Sequence, residues 1–251
     1  MSIAEKFEVI ADRVYEKGYN QSESDFWDKL QNYGNRNAYD EVFRNWQGDY
    51  LRPKYKIVPT SCLGDAIGFM RFASNSNIKI AESKYIDFSQ LTIPVSGTMV
   101  GYRQTFQGCK QLEVVEDIGF QPANYYYAFN GCSVLHTIEK IRCHEKGSYD
   151  SAFSNCPELR EIRIDGVIGR NISFAGSPLT FESMKSIITH LNKYDTKSYT
   201  LTVRSTSFAN LETAGFTDDD KALLNEKGIA VTDESTWANV VDDLNWNLVL
   251  A

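Results

Sequence analysis

The chain has 251 residues, 42% of them hydrophobic, with 33 acidic against 26 basic side chains and a net charge of −7. That length holds one large domain or two small ones with ample core, and an acidic pI near 5.1 excludes the basic stripe with which nucleic-acid surfaces displace counterions. No long uninterrupted apolar stretch exists, and the opening MSIAEKFEVIADR mixes Glu, Lys, Asp and Arg into its apolar residues, so neither a transmembrane helix nor a classical signal peptide is expected.

Residues 1–54 read as a helical and aromatic leader. Ile3, Phe7, Ile10 and Val14 alternate by four and three residues, which predicts a two-heptad apolar seam on a helix ending near Gly18. A second helical segment, FWDKL, follows Ser22 or Ser24 as cap, and the aromatic stretch after it is broken by Gly48 and Pro53. YKIVP is a predicted first strand. A helix this short is barely stable alone, so the seam either folds back onto the segment around Phe26, Trp27 and Trp46 or pairs with copies of itself. Closed oligomers being common, a homo-oligomer through this helix is the expectation.

Residues 55–179 carry a repeat. YRQTFQGCKQLEVV, YYYAFNGCSVLHTI and YDSAFSNCPELREI share the frame Tyr-x-x-small-Phe-x-x-Cys-x-x-Leu-x-x-aliphatic, and Phe106, Phe129 and Phe153 stand 23 and 24 residues apart. A unit this short cannot close a core alone, so equivalent residues must stack between neighbouring copies. The expected core is Phe106, Cys109 and Leu112, then Phe129, Cys132 and Leu135, then Phe153, Cys156 and Leu159. The leucines are expected to open short strands. Val115, Ile138 and Ile162 follow on the inner face, then Ile118, Ile141 and Ile164 with a one-residue irregularity in the third copy. Gly108, Gly131 and Asn155 occupy one position, and their residue types tolerate a left-handed corner.

This frame resembles the BspA-like class of leucine-rich repeats, whose consensus runs roughly Ala-Phe-x-x-Cys-x-x-Leu-x-x-Ile-x-Ile. The resemblance implies an α/β solenoid of about five coils, counting degenerate copies at Phe72, Asn75 and Ile78 upstream and at Phe174, Ser177 and Leu179 downstream. VYEKGYN, FWDKLQNYGNR and the closing LNEKGIAVT and W-x-L-x-L are similar to the ends of such repeat proteins encoded by prophages of gut bacteria, among tail and other virion-associated genes.

Residues 180–251 change to helical periodicity and read as a helix-strand cap that continues the solenoid. Phe181, Met184, Ile187, Ile188 and Leu191 fall on one helical face behind Pro178 and a Thr180 cap. YTLTV alternates as a strand, Thr217 and Asp220 form a capping box for a helix ended by Gly228, and IAVT and WNLVL read as closing strands.

The chemistry-bearing residues point away from catalysis. Five cysteines (Cys62, Cys109, Cys132, Cys143 and Cys156) are an odd number, three at one repeat position, which suits buried thiols better than a disulfide framework. Their spacing lacks the close Cys and His pairs of a metal site. His136, His144 and His190 have no exposed nucleophile beside them, and no phosphate loop or nucleophile elbow is present. No catalytic residue, metal or cofactor is therefore expected.

Two surfaces remain for a partner. Tyr102, Tyr125 and Tyr149, with Tyr126 and Tyr127 beside the second, form either a structural ladder or an aromatic recognition surface. The strand positions between the buried residues, Glu113, Val114 and Glu116, then His136, Thr137 and Glu139, then Arg160, Glu161 and Arg163, grade from acidic to basic, either as a solvated face or as a binding face. The candidate partner-binding set is thus Glu113, Glu116, His136, Glu139, Arg160, Arg163, Tyr125 and Tyr126. The expected function is a non-enzymatic scaffold facing a protein or glycan, with no nucleic acid and no membrane insertion. The prophage resemblance implies a tail-associated structural or receptor-binding component, made in the cytoplasm and carried in the virion. A bacterial surface or adhesion module is the alternative.

Overall fold

Each copy of the repeat frame follows the same path and hydrogen-bonds to the next. The computed structural model describes Asp49, residues 72–90 and residues 101–251. The expected N-terminal seam, the FWDKL helix, the YKIVP strand and Cys62 lie outside the described residues. One strand per copy, β1 (Ile80–Ala81), β2 (Val114–Val115), β3 (Thr137–Cys143) and β4 (Glu161–Gly166), builds a parallel sheet in chain order. Val115 pairs with Ile138 and Ile138 with Ile162, all buried. The register shifts between Ile138 and Ile141. There Glu139 and Lys140 occupy the space that Arg163 fills alone in β4, the structural form of the irregular third copy.

The leucines do not open the strands. Their N–H groups donate to the cysteine carbonyls three residues back, Leu112 to Cys109, Leu135 to Cys132 and Leu159 to Cys156 at 3.1–3.2 Å. Each leucine thus closes a turn, and the strand begins two residues later. Gly108, Gly131 and Asn155 have φ of +73°, +79° and +58°. At Gly108 a Cβ would meet the Asn75 side-chain oxygen at 2.1 Å, so a side chain there would displace that of Asn75.

A second ladder joins the copies on the phenylalanine side. Phe106 N–H donates to the Ala128 carbonyl at 2.8 Å and Phe129 N–H to that of Ala152 at 2.9 Å. The rings follow the backbone. Phe106 and Phe129 stack at 5.8 Å and 12°, Phe129 and Phe153 at 5.7 Å and 9°, and Phe153 and Phe174 at 4.5 Å. Upstream, Ala73 N–H donates to the Thr105 carbonyl and Asn75 N–H to that of Gln107. Ala73 therefore holds the phenylalanine position in that copy. Phe72 sits one residue ahead of the expected register and packs edge-on against Phe88 at 5.8 Å.

The strand side ends where the copy that carries Phe174 turns helical. Thr180 N–H still donates to the Arg160 carbonyl, but the chain then enters α1 (Phe181–Thr189), capped by the Thr180 hydroxyl. The open edge of β4 is closed by this helix. Ile162 and Ile164 donate their N–H groups to the hydroxyls of Ser183 and Ser186, each at 2.9 Å, which satisfies donors that a bare edge would leave unpaired.

From here the phenylalanine side carries the sheet. β5 (Ile172–Phe174), β6 (Tyr199–Val203) and β7 (Trp246–Leu250) are parallel in that order. Between them run α2 (Ser205–Ala214), α3 (Asp218–Glu226) and α4 (Trp237–Asp243). The Thr217 capping box forms as its spacing predicts, and Gly228 has φ +70°. IAVT is no strand. Ile229 N–H donates to the Leu224 carbonyl, so this segment caps α3 and buries Ile229. Lys185 of α1 and Asp220 of α3 form a buried ion pair at 3.0 Å. One continuous cluster of buried residues runs from Phe72 to Trp246, and among the described residues no helix is long and apolar enough to cross a membrane.

Candidate partner-binding face

The outward residues of the first sheet are positioned by a ladder that crosses every copy. At the residue that leads into each strand, Lys79 N–H donates to the Asp49 carbonyl and Glu113 N–H to that of Lys79. His136 then donates to Glu113, Arg160 to His136 and Thr180 to Arg160. Glu113, His136 and Arg160 are therefore consecutive members of one column, all exposed, spaced by the roughly 4.8 Å separation of paired strands. Alternation along the strand returns Val115, Ile138 and Ile162 to the core and sends Glu116, Glu139 and Arg163 outward.

Within the second column, the two glutamates are held. Glu116 accepts the N–H and hydroxyl of Ser83 at 2.7 and 2.6 Å, and Glu139 accepts the Asp117 N–H at 2.9 Å. Both carboxylates brace the loop of the preceding copy. Arg163 takes no such part and stays exposed. Asp117 also meets Lys140. Burial raises its pKa, but the Lys140 ammonium and the Gly119 N–H outweigh it and hold the carboxyl below its ordinary range.

Across β3 and β4 a polar chain links His136 Nδ1 to Thr137 Oγ1 at 3.0 Å, and Thr137 Oγ1 donates to Glu161 at 3.2 Å. A shallow depression of about 430 Å³ lies over these residues, with Glu113, Glu158 and Arg160 on its wall. Arg160 and Glu158 pair at 3.2 Å on its exposed side. A larger trough of about 740 Å³ adjoins it through Thr137 and Glu161, between the strand face and helices α1 and α3. Arg163, Phe181, His190 and Leu223 line that trough. Burial lowers the His190 pKa, although its contact with the Ser186 carbonyl at 2.7 Å acts the other way.

Of the eight candidate residues, Glu113, His136, Arg160 and Arg163 come together as exposed outward side chains, and Glu116 and Glu139 join them as braced ones. Tyr125 does not belong to a surface. It is fully buried, stacked between Tyr102 at 5.3 Å and Tyr149 at 6.0 Å, and its hydroxyl donates to the Arg142 carbonyl at 2.9 Å. Tyrosine suits the layer because its ring fills the space while its hydroxyl meets a backbone group, Tyr102 accepting the Gln121 N–H and Tyr149 donating to the His144 carbonyl. Tyr126 is half-buried under the Arg103 guanidinium, 4.7 Å from its ring, on the turn side rather than the strand face.

Phe181 and Leu223, 42% and 41% exposed, are the trough residues that periodicity misplaced or passed over. Phe181 lies at the expected helical spacing but in the first turn, where the helix overhangs the trough, and the Lys185 amine sits 5.7 Å over its ring. Among the described residues no group of His, Cys, Asp and Glu is arranged to hold a metal ion. Comparison of the chain with protein-family models, curated proteins and solved structures found no match.

Proposed function

We propose that the chain is a BspA-like leucine-rich-repeat solenoid acting as a non-enzymatic scaffold, and that its strand face with the adjoining trough binds a macromolecular partner, a protein or a glycan. The observation that supports this reading most is the register of Glu113, His136 and Arg160. A backbone ladder fixes their spacing, so a partner meets a rigid array and loses little entropy in ordering it. Phe181 and Leu223 add apolar area beside the charged columns, the usual composition of a binding patch with a polar rim.

In this reading the chain is a prophage tail-associated component. The test is to induce the bacterium that carries the gene, purify the particles and identify their proteins by mass spectrometry, for the parent and for Arg160→Glu/Arg163→Glu. Incorporation of the parent and loss of the variant, with both proteins melting alike, is the expected result. Recovery on the cell surface with none in particles would replace the virion role by the adhesion role.

A further inference from the structure

The strongest unexplained feature is the ion pair at the bottom of the trough beside α1 and α3. Lys185 and Asp220 are 5% and 7% exposed, yet both line the trough. A buried pair of this kind stabilises little more than apolar residues of the same volume, because desolvating two charges offsets their attraction. Its hydrogen-bonding capacity is also incompletely used. An ammonium carries three N–H donors, and the Lys185 amine meets Asp220 Oδ2 at 3.0 Å. The Thr217 N–H and hydroxyl converge on that same Oδ2, each at 2.7 Å. Among the described residues Asp220 Oδ1 accepts no hydrogen bond, and the Lys185 amine has no second carboxylate or carbonyl partner.

The surroundings of the pair narrow the ligand chemistry. Phe181 is 42% exposed and holds its ring centre 5.7 Å from the Lys185 amine, so an apolar platform lies beside the donor–acceptor pair. Leu223, 41% exposed, lines the same trough. The charges there are of both signs, Arg163 and Lys185 against Glu139, Glu161, Glu182 and Asp220. An anionic ligand would meet the excess of carboxylates, and a cationic one would meet the ammonium at the bottom. A neutral polyhydroxy ligand suffers neither repulsion. One of its hydroxyls donates to Asp220 Oδ1 while the next accepts from Lys185, and its partly positive C–H face packs on the electron-rich face of a phenyl ring.

We propose that the trough binds a neutral hexose unit of a glycan, with Lys185 and Asp220 holding two adjacent hydroxyls and Phe181 carrying the apolar face of the sugar. The proposal rests on the partner-binding reading of this face and names its ligand class. The volume of about 740 Å³ falls within the ~300–1,000 Å³ of small-molecule sites, and the depression that adjoins it through Thr137 and Glu161 leaves room for a longer chain of sugars.

The probes are the methyl glycosides of glucose, galactose, mannose, rhamnose and N-acetylglucosamine, titrated into the full chain by isothermal calorimetry, with saturation-transfer NMR to find the sugar protons that touch the protein. Glucuronic acid and glucosamine serve as charged counterparts. At least one neutral glycoside is expected to saturate, and both charged sugars should bind at least tenfold more weakly. Phe181→Ala should weaken binding at least tenfold and lose the transfer to the sugar C–H protons, with a melting temperature within about 4 °C of the parent. Lys185→Met/Asp220→Leu, an apolar pair in place of the ionic one, should abolish binding; if it does not fold, Phe181→Ala decides alone. No saturation by any neutral glycoside would overturn the proposal, as would tighter binding of a charged sugar or parent-like binding by Phe181→Ala. Failure of every sugar while the parent chain still enters particles would leave the partner-binding reading standing and assign the trough to a protein segment.

Discussion

Replacing Phe129 by alanine probes the stacking of copies most directly. The ring is fully buried and lies between Phe106 and Phe153 at 5.8 and 5.7 Å, nearly parallel to both, with Phe120 edge-on at 6.1 Å. Truncation of a buried phenylalanine costs about 3–5 kcal/mol through lost transfer energy and the cavity left behind. Here the upper half of that range applies, because two aromatic contacts worth about 0.5–1.5 kcal/mol each disappear together. The walls cannot collapse readily either, since Phe129 N–H and its neighbours are tied to the next copy by the ladder. For a chain of this size each kcal/mol moves the melting temperature by about 2–4 °C, giving a fall of about 8–20 °C by circular dichroism or calorimetry. Phe181→Ala is the control, with a cost under about 1 kcal/mol expected from its exposed position. A Phe129→Ala protein melting within 2 °C of the parent, or no more perturbed than Phe181→Ala, would refute the stacked register.

Three further outcomes follow from named contacts. Burial pushes the Cys143 and Cys156 thiols up to about 12 and raises Cys132 as well, so iodoacetamide at pH 8 should leave these residues unlabelled until denaturant is added; peptide mass mapping that finds them modified in the native protein would contradict it. Asp220 is raised by burial but lowered further by the Thr217 N–H and hydroxyl and by Lys185. Its folded pKa lies below the unfolded value of about 3.9, so its contribution is present above that pH and fades as the pH falls through the folded value; the stability gap between the parent and Asp220→Asn should narrow below about pH 4 in urea melts. Ser183→Ala with Ser186→Ala should cost about 2–5 kcal/mol by orphaning the N–H groups of Ile162 and Ile164, with hydrogen exchange at those two amides rising ahead of the rest of β4.

The sequence was most legible where one residue type recurs under one constraint. Gly108, Gly131 and Asn155 share a left-handed corner, and Val115, Ile138 and Ile162 share an inward register, because each repeats a local need every copy must meet. Thr180 and Thr217 were readable as caps because side chain and backbone lie within one turn. Legibility failed where the deciding partner is distant in sequence. α2 starts without a side-chain cap at Arg204 and buries only Ser207, Phe208 and Leu211, so its face shows little apolar period. α4 opens on a Thr236 and Asn239 capping box in a seven-residue helix too short to show periodicity. The braced state of Glu116 and Glu139 depends on loops of the preceding copy, and the burial of Tyr125 depends on rings of the copies at both sides.

The same distinction explains why cysteine, rather than valine or serine, marks the repeat. Each Phe carbonyl in the column has two lone pairs to satisfy in the buried interior. The Phe106 oxygen accepts the Cys109 N–H of its own turn at 3.1 Å and the Cys132 thiol of the next copy at 3.0 Å. The Phe129 oxygen accepts the Cys132 N–H and the Cys156 thiol in the same way, both at 3.1 Å. Valine would fill the volume and leave the second lone pair unmet, whereas serine would place a stronger polar group in a fully buried column. Serine occupies the same position in the copies on either side. Ser76 Oγ lies 3.4 Å from the Cys109 thiol, and Ser177 Oγ donates to the Cys156 carbonyl at 3.2 Å. The three cysteine copies are thus the ones whose strand face carries Glu113, His136 and Arg160, and Cys132, in the middle, is the one with a cysteine copy on both sides.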